Sequence, residues 1–403
     1  MAVMKFQAAR ELVIERVRSS KPSLQTELIP LQNARTRVLA QAVSADRDLP
    51  PFPRSTRDGY AVHAADVSAT PAQLRLRGQA RAGVSFDGAV GAGDCVEIMT
   101  GAPLPAGANA VVMVERTSAA GEYVLINKAV VVGENVVAQG SEASRGESLL
   151  APGRRLGYAE IAMIAAVGLR EISVYKPPTV AILPTGDEIV ELDVAPGPFE
   201  IRNSNSYSLQ AQTQAAGGIP VPLGIAEDRE DRLREMIERG LEYDVLLLSG
   251  GVSAGKFDLV EPVLAQLGAE FYFDGVNIQP GRPLVFGRVG RTFIFGLPGN
   301  PLSTMVTFEI FVRPALALLA GEMTAPLIFT RARLTRDLQR KAGLAGFLPA
   351  ILEGNYYEPE VSPVEWKGSG DVVSLTRANC FLAIPEEAGE LKAGEWVSVM
   401  MRQ

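Results

Sequence analysis

The sequence predicts a multi-domain α/β plus β protein: a parallel doubly wound sheet, flanked by an N-terminal mostly β module and a small C-terminal β-barrel-like domain. Three observations predict it. Between Thr179 and Leu319, short apolar β-runs alternate with helical patterns, the signature of strands joined by crossover helices. From Val38 to Val137, and again from Leu327 onward, the runs are short and broken by Gly and Pro. With 403 residues, the chain exceeds what one hydrophobic core supports.

Taken in order, Phe6 to Arg18 reads as an amphipathic helix, with Phe6, Ala9, Val13 and Val17 near one face, suited to packing or to a dimer contact. The β module follows in LRLRG, DCVEIMTGAPLPAGA, NAVVMVE, EYVLI and AVVVG. Leu156 to Val167 is a helix, and Lys176-Pro177-Pro178 marks a boundary. Beyond it the spacing predicts a strand over Thr179 to Leu183, a helix over Ser206 to Ala216, a strand over Val221 to Gly224, a helix over Arg229 to Glu238 and a strand over Val245 to Leu248. Helices near Leu259 to Leu267 and Leu302 to Leu319 and a strand over Thr292 to Phe295 complete this domain. The last β-runs are Arg331 to Thr335, Phe347 to Leu352, Asp371 to Leu375, Cys380 to Ile384 and Trp396 to Met400. The resulting division is 1–50 with 140–176 as a helical linking domain, 51–139 as the β module, 177–325 as the α/β domain and 326–403 as the C-terminal β domain.

Net charge is −7, and basic residues are scattered among acidic ones, which excludes a nucleic-acid footprint. Cys95 and Cys380 lie far apart without metal or disulfide spacing, so a reducing cytoplasm is expected. The N-terminus carries early charge, and no apolar run reaches the length of a signal segment or membrane span. His63 is the only histidine. Histidine triads and histidine metal sites are excluded, leaving carboxylates, hydroxyls, Lys/Arg and a metal to carry chemistry.

Two Gly-rich turns follow strands: SGGVSAG, Ser249 to Gly255, and GLPGNP, Gly296 to Pro301. Such turns at the carboxyl ends of strands present unpaired N–H groups to an anion. Gly250, Gly251, Ser253 and Gly255 form the first cradle; Pro298, Gly299, Asn300 and Pro301 form a stiffer second one. TGDEIVE places Asp187 and Glu188 at the same sheet edge, where paired carboxylates beside bound phosphate suit Mg²⁺. Taken alone, that motif is equally a helix N-terminus with acidic residues. Asp228 and Asp258 stand at strand-to-helix junctions, where a cap is the simpler role. Asp58-Gly59 in RDGYAV and the Thr100 loop are explained as readily by turn chemistry. Arg282 in QPGRP is either an oxyanion contact or a surface residue.

In this order, RDGYAV, MTGAPLPAGANAVVMVE, PTGDEIVE, SGGVSAGKFD, QPGRP, GLPGNP and GSGDVVSLTRAN closely resemble the molybdopterin molybdenumtransferase family, MoeA and the gephyrin E-domain. The resemblance spans nearly the whole chain. It implies an elongated homodimer whose α/β part is of the molybdopterin-binding type and whose cleft is completed by the partner's DGYA-bearing β module. It implies transfer of molybdenum from molybdate to the dithiolene of adenylylated molybdopterin, with AMP release helped by Mg²⁺. Carried over by position, Asp58, Thr100, Glu188, Asp228 and Asp258 are the functional polar residues, with Asp187, Glu188 and Asp258 for the metal. Pro298 and Pro301 shape the pocket, and Ser303 is placed to meet the oxyanion. A molybdopterin adenylyltransferase and apo-molybdoenzymes are the implied partners.

The chain departs from the family pattern in four places. QPGRP replaces KPGKP, so Gln279 loses a charge and Arg282 stands for a lysine. Glu142 in GSEAS replaces an aspartate. PFPRSTRDGYA carries Pro53, Arg54 and Arg57 where an acidic, an amide and an apolar residue are usual, and Gly343 to Pro349 lacks arginines. Fewer cationic contacts for molybdate are implied. The alternatives are a divergent paralogue that binds a pterin or nucleotide without inserting metal, and a gephyrin-like protein-binding scaffold.

Overall fold

The computed structural model describes residues 3–20, 24–251, 259–324 and 327–402. The first helix runs Phe6–Ser19 and buries Ala9, Val13 and Val17, one stripe at helical spacing. That stripe joins the core on one face of the central α/β sheet. Phe6 sits edge-on to Phe311 at 5.9 Å and to Phe347 at 5.0 Å, so the helix touches both the α/β unit and the C-terminal barrel.

The chain then builds a small unit in which Thr26–Pro30 pairs antiparallel with Glu171–Tyr175, and Val43–Ser44 with Ser148–Leu150. The helix Tyr158–Ala166 packs on it, around Leu39, Leu156, Ile164, Ile172 and Val174. Between the two passes through this unit lies the β module, a six-stranded sheet in the order Ala110–Met113, Gly59–Val62, Asp94–Ile98, Ala72–Ala80, Tyr123–Ile126, Thr117–Ala120. The AVVVG run, expected as a strand, is a loop. Gly133 turns there with φ of 84°, and Val131 and Val132 face solvent.

In the α/β domain four strands run parallel, in the order Ile219–Pro222, Thr179–Pro184, Val245–Ser249, Thr292–Leu297. Alternation assigns the two faces. Val180, Ile182, Val245 and Leu247 pack under the helices Ser204–Ala215 and Pro301–Thr307. Ala181, Leu183, Leu246 and Leu248 pack under Glu230–Gly240 and Val260–Gln266. Double winding is therefore present, but the sheet is not purely parallel as expected. Val285–Val289 and Glu270–Phe273 extend it antiparallel. Only Gly290 and Arg291 separate Val289 from Thr292, and a connection so short closes a hairpin and leaves no room for a crossover.

Contrary to the expectation that no apolar run reaches the length of a membrane span, Pro301 to Leu319 is long and apolar enough to cross a bilayer; 83% of its most apolar 18-residue window is buried inside the protein, as in a core helix. Its middle, Phe308–Val312, is π-helical and carries the buried Glu309. Arg313 Nε donates to Glu309 Oε2 at 2.6 Å and Gln212 Nε2 to Glu309 Oε1 at 2.6 Å, which satisfies the buried carboxylate.

The C-terminal strands Phe329–Leu334, Ala345–Gly354, Pro359–Pro363, Cys380–Ile384 and Trp396–Met401 close on themselves as a five-stranded barrel. Ile278–Gln279, leaving the α/β domain, adds in parallel to Ala345 and Gly346. The strand expected over Asp371 to Leu375 is a helix, Val372–Arg377. Asp371 caps it by accepting from Ser374 N at 3.0 Å, a local hydrogen bond that outweighs the β-branched pair at 372 and 373. Both cysteines are buried, and burial pushes the Cys95 thiol up to about 12 and Cys380 up to about 11. Neither is a source of thiolate at neutral pH.

Candidate active site

Thr179–Pro184 runs outward to one neighbour, Ile219–Pro222, before the chain crosses to its other neighbour, Val245–Ser249. The loops after the first and third of these strands therefore part at a topological switch point, where open α/β sheets hold ligands. A cleft of about 770 Å³ lies there. Its walls come from the TGDE turn, the segment 201–205, Asp228, both Gly-rich turns, Pro283, and Gly370 with Val372 from the C-terminal domain.

The TGDE turn is pinned by backbone bonds from Thr185 N to Ser249 O at 3.0 Å and from Gly186 N to Ala226 O at 3.2 Å. A Cβ on Gly186 would lie 2.5 Å from the Glu188 carboxylate, so only glycine lets that carboxylate fold back over the turn. No helix follows; Ile189–Val190 pairs in parallel with Ile201–Arg202 instead. Complementing a helix dipole therefore does not explain the acidic pair. Asp187 Oδ1 accepts from Asp228 N at 3.0 Å, which ties the two acidic loops together. The cap position of the next helix is Arg229, whose side chain makes no capping hydrogen bond, and Asp228 lines the cleft.

Gly250 and Gly251 have φ of 97° and 65°, and a Cβ on Gly250 would sit 2.6 Å from the Thr185 carbonyl. Gly299 brings the second turn against the first: its Cβ position is 3.5 Å from Gly250 Cα. Asn205 locks the contact. Its Nδ2 donates to Ser249 Oγ and to Gly299 O, both at 2.8 Å; a carbonyl only accepts, so the amide orientation is fixed. Pro298 and Pro301 frame the second turn, and Pro301 opens its helix. Asn300 Nδ2 donates to Ser369 Oγ at 2.8 Å, and Leu302 N to Ser369 O at 3.0 Å. The GSGD stretch of the barrel domain thus closes one end of the cleft.

Of the residues expected from sequence, Glu188, Asp228, Gly250, Gly251, Pro298, Gly299, Asn300 and Pro301 line this one cleft. Asp187 is exposed outside the lining, its carboxylate accepting from the Asp228 backbone. Ser303 is buried, accepts from Thr307 Oγ1 through its carbonyl, and does not reach the wall. Arg282 is exposed, while its neighbour Pro283 lines the cleft. Asp58 and Thr100 lie in the β module, outside the lining of the cleft. There Asp58 Oδ1 accepts from Thr100 N at 2.7 Å and Thr100 Oγ1 at 2.8 Å. These bonds, the backbone one foremost, hold the Asp58 carboxyl below the usual carboxylate range. Ser253, Gly255 and Asp258 lie outside the described residues. Arg54 and Glu142, both departures from the family pattern, meet in an exposed ion pair at 3.0 Å.

Sequence reasoning missed Thr185, Arg202, Asn203, Asn205 and Ser249, all in the cleft wall. The RNSNS stretch held a signal: Asn203 caps the helix Ser204–Ala215 by accepting from Ser206 N. Among the described residues no three of His, Cys, Asp and Glu form a metal cage. A pair such as Glu188 and Asp228 fits Mg²⁺, which takes one or two carboxylates and completes its shell with phosphate and water.

Residues 4–168 match the family model described as the MoeA N-terminal region (domain I and II). Residues 181–318 match the probable molybdopterin binding domain, and 331–401 the MoeA C-terminal region (domain IV). The chain is 32% identical over 386 residues to a molybdopterin molybdenumtransferase of Bacillus subtilis, covering 94% of this chain and 90% of that protein. It is 30% identical over 398 residues to one from Staphylococcus aureus, covering 97% and 94%. Among solved structures, a molybdopterin biosynthesis MoeA protein of Pyrococcus horikoshii superposes with a TM-score of 0.81 at 29% identity, covering all of both chains.

Proposed function

This chain belongs to the MoeA family of molybdopterin molybdenumtransferases, and on that premise we propose that it inserts molybdenum from molybdate into adenylylated molybdopterin, releasing AMP. One observation carries the reading: TGDE, both Gly-rich turns and the GSGD stretch, remote in sequence, converge on one cleft. In it the Gly250 and Gly251 backbone accepts a phosphate group at close range, because no side chain stands between. Pro298 to Pro301, clamped through Asn205 and Ser369, form a floor held in place by the fold's own hydrogen bonds. Glu188 and Asp228 would hold Mg²⁺. When bound, the ion neutralises phosphate charge and polarises the anhydride. No protein nucleophile is required, in keeping with two buried, poorly ionised thiols.

The active species in this proposal is a homodimer in the cytoplasm, with Asp58 and Thr100 of the partner's β module facing the cleft. It takes its substrate from a molybdopterin adenylyltransferase and delivers product to apo-molybdoenzymes. The test supplies purified protein with adenylylated molybdopterin, Mg²⁺ and molybdate and follows AMP. Release should require molybdate. Glu188→Gln and Asp228→Asn should each lower turnover by about a hundredfold, the equivalent of a few kcal/mol of lost charge stabilisation. Tight pterin binding without molybdate-dependent AMP release rejects the proposal.

A further inference from the structure

The charged side chains lining the cleft, among the described residues, are Glu188, Asp228 and Arg202. Two carboxylates and one guanidinium leave this described part of the wall net negative, so an anionic ligand there needs a cation or that guanidinium to offset it. Among the described lining residues Arg202 carries the positive charge. Its backbone is held by the parallel pairing of Val190 with Arg202 and by Asn203 N donating to Val190 O at 2.9 Å. The helix cap at Asn203 fixes the chain immediately after it. Its side chain is only lightly held: Nε donates one long bond of 3.3 Å to Leu192 O, the residue is exposed, and it forms no ion pair among the described residues.

An arginine with a rooted backbone and its two terminal nitrogens uncommitted, next to Ile201 whose N donates to Glu188 O at 2.8 Å, is placed to grip a tetrahedral oxyanion bidentately. Arg282, the sequence-derived candidate for that role, is exposed and outside the lining. We propose that Arg202 is a positioning residue that binds the phosphate of the nucleotide-linked substrate and holds it between Glu188 and the two Gly-rich turns. This rests on the assignment of the cleft to adenylylated molybdopterin.

Calorimetric titration of the wild type, Arg202→Ala and Arg202→Lys with adenosine, AMP and molybdate tests it. Because Arg202 is exposed, both variants should fold, with melting curves matching the wild type. The wild type should prefer AMP to adenosine. Arg202→Ala should lose about tenfold in AMP affinity with adenosine binding unchanged, and Arg202→Lys should recover part of it, a point charge without the fork. An AMP preference retained in Arg202→Ala overturns the role of Arg202 alone, as does a loss confined to molybdate. A wild type that binds neither nucleoside nor nucleotide overturns the cleft assignment together with it.

Discussion

Gly250→Ala isolates how closely the two Gly-rich turns must pack. The native φ of 97° lies where an L side chain is strained, a cost of about 1–2 kcal/mol. The new Cβ also starts 2.6 Å from the Thr185 carbonyl, which sits at the end of a central strand and cannot swing aside. Reaching ordinary contact at 3.4 Å demands a retreat of about 0.8 Å by one of the turns. Displacements near 1 Å at a reacting centre cost on the order of 10²-fold in rate. The expected result is molybdate-dependent AMP release reduced by about that factor. The control is Gly121→Ala, where φ is 67° but nothing lies within 4 Å of the new atom. That variant should show the conformational cost alone, a melting point lower by a few degrees with full turnover. Equal turnover for Gly250→Ala and wild type would refute the claim that the cleft depends on this contact.

Glu309→Ala deletes a carboxylate that is 6% exposed and bonded to both Gln212 and Arg313. It should lower stability by about 3–5 kcal/mol in urea unfolding, and a loss below about 1 kcal/mol would show that the pair is not desolvated. Asp58 is held below its ordinary value of 3.8 chiefly by the Thr100 backbone N–H and next by its hydroxyl. Its folded pKa being depressed, its stabilising effect is complete above pH 3.8 and is lost as pH falls through the lower folded value. An NMR titration should place the Asp58 midpoint below 3.8 in the wild type and part of the way back in Thr100→Val; no upward movement would remove the hydroxyl from the account.

Local chemistry makes much of this protein legible in its sequence. Alternating apolar runs gave the two-faced sheet, because side-chain alternation and helical spacing act within a few residues. The Gly-rich turns and TGDE were legible for the same reason: conformational freedom and charge are properties of the residues themselves. Strand direction beyond Thr292–Leu297 was not, since an antiparallel hairpin and a parallel crossover use the same apolar runs. Val372–Arg377 escaped because one capping bond from Asp371 decides a short helix that its β-branched residues disfavour.

Within the site, sequence marked the backbone that meets an anion, while the third dimension selected the side chains around it. Asn205 matters only because Ser249 and Gly299 converge on its amide, from positions 44 and 94 residues away. Arg202 and Arg282 are indistinguishable as letters; one is rooted beside Glu188 and the other is turned to solvent. Charge type is written in the chain, but which charge faces the cleft depends on how loops from separate strands pack, and that is settled only when the fold closes.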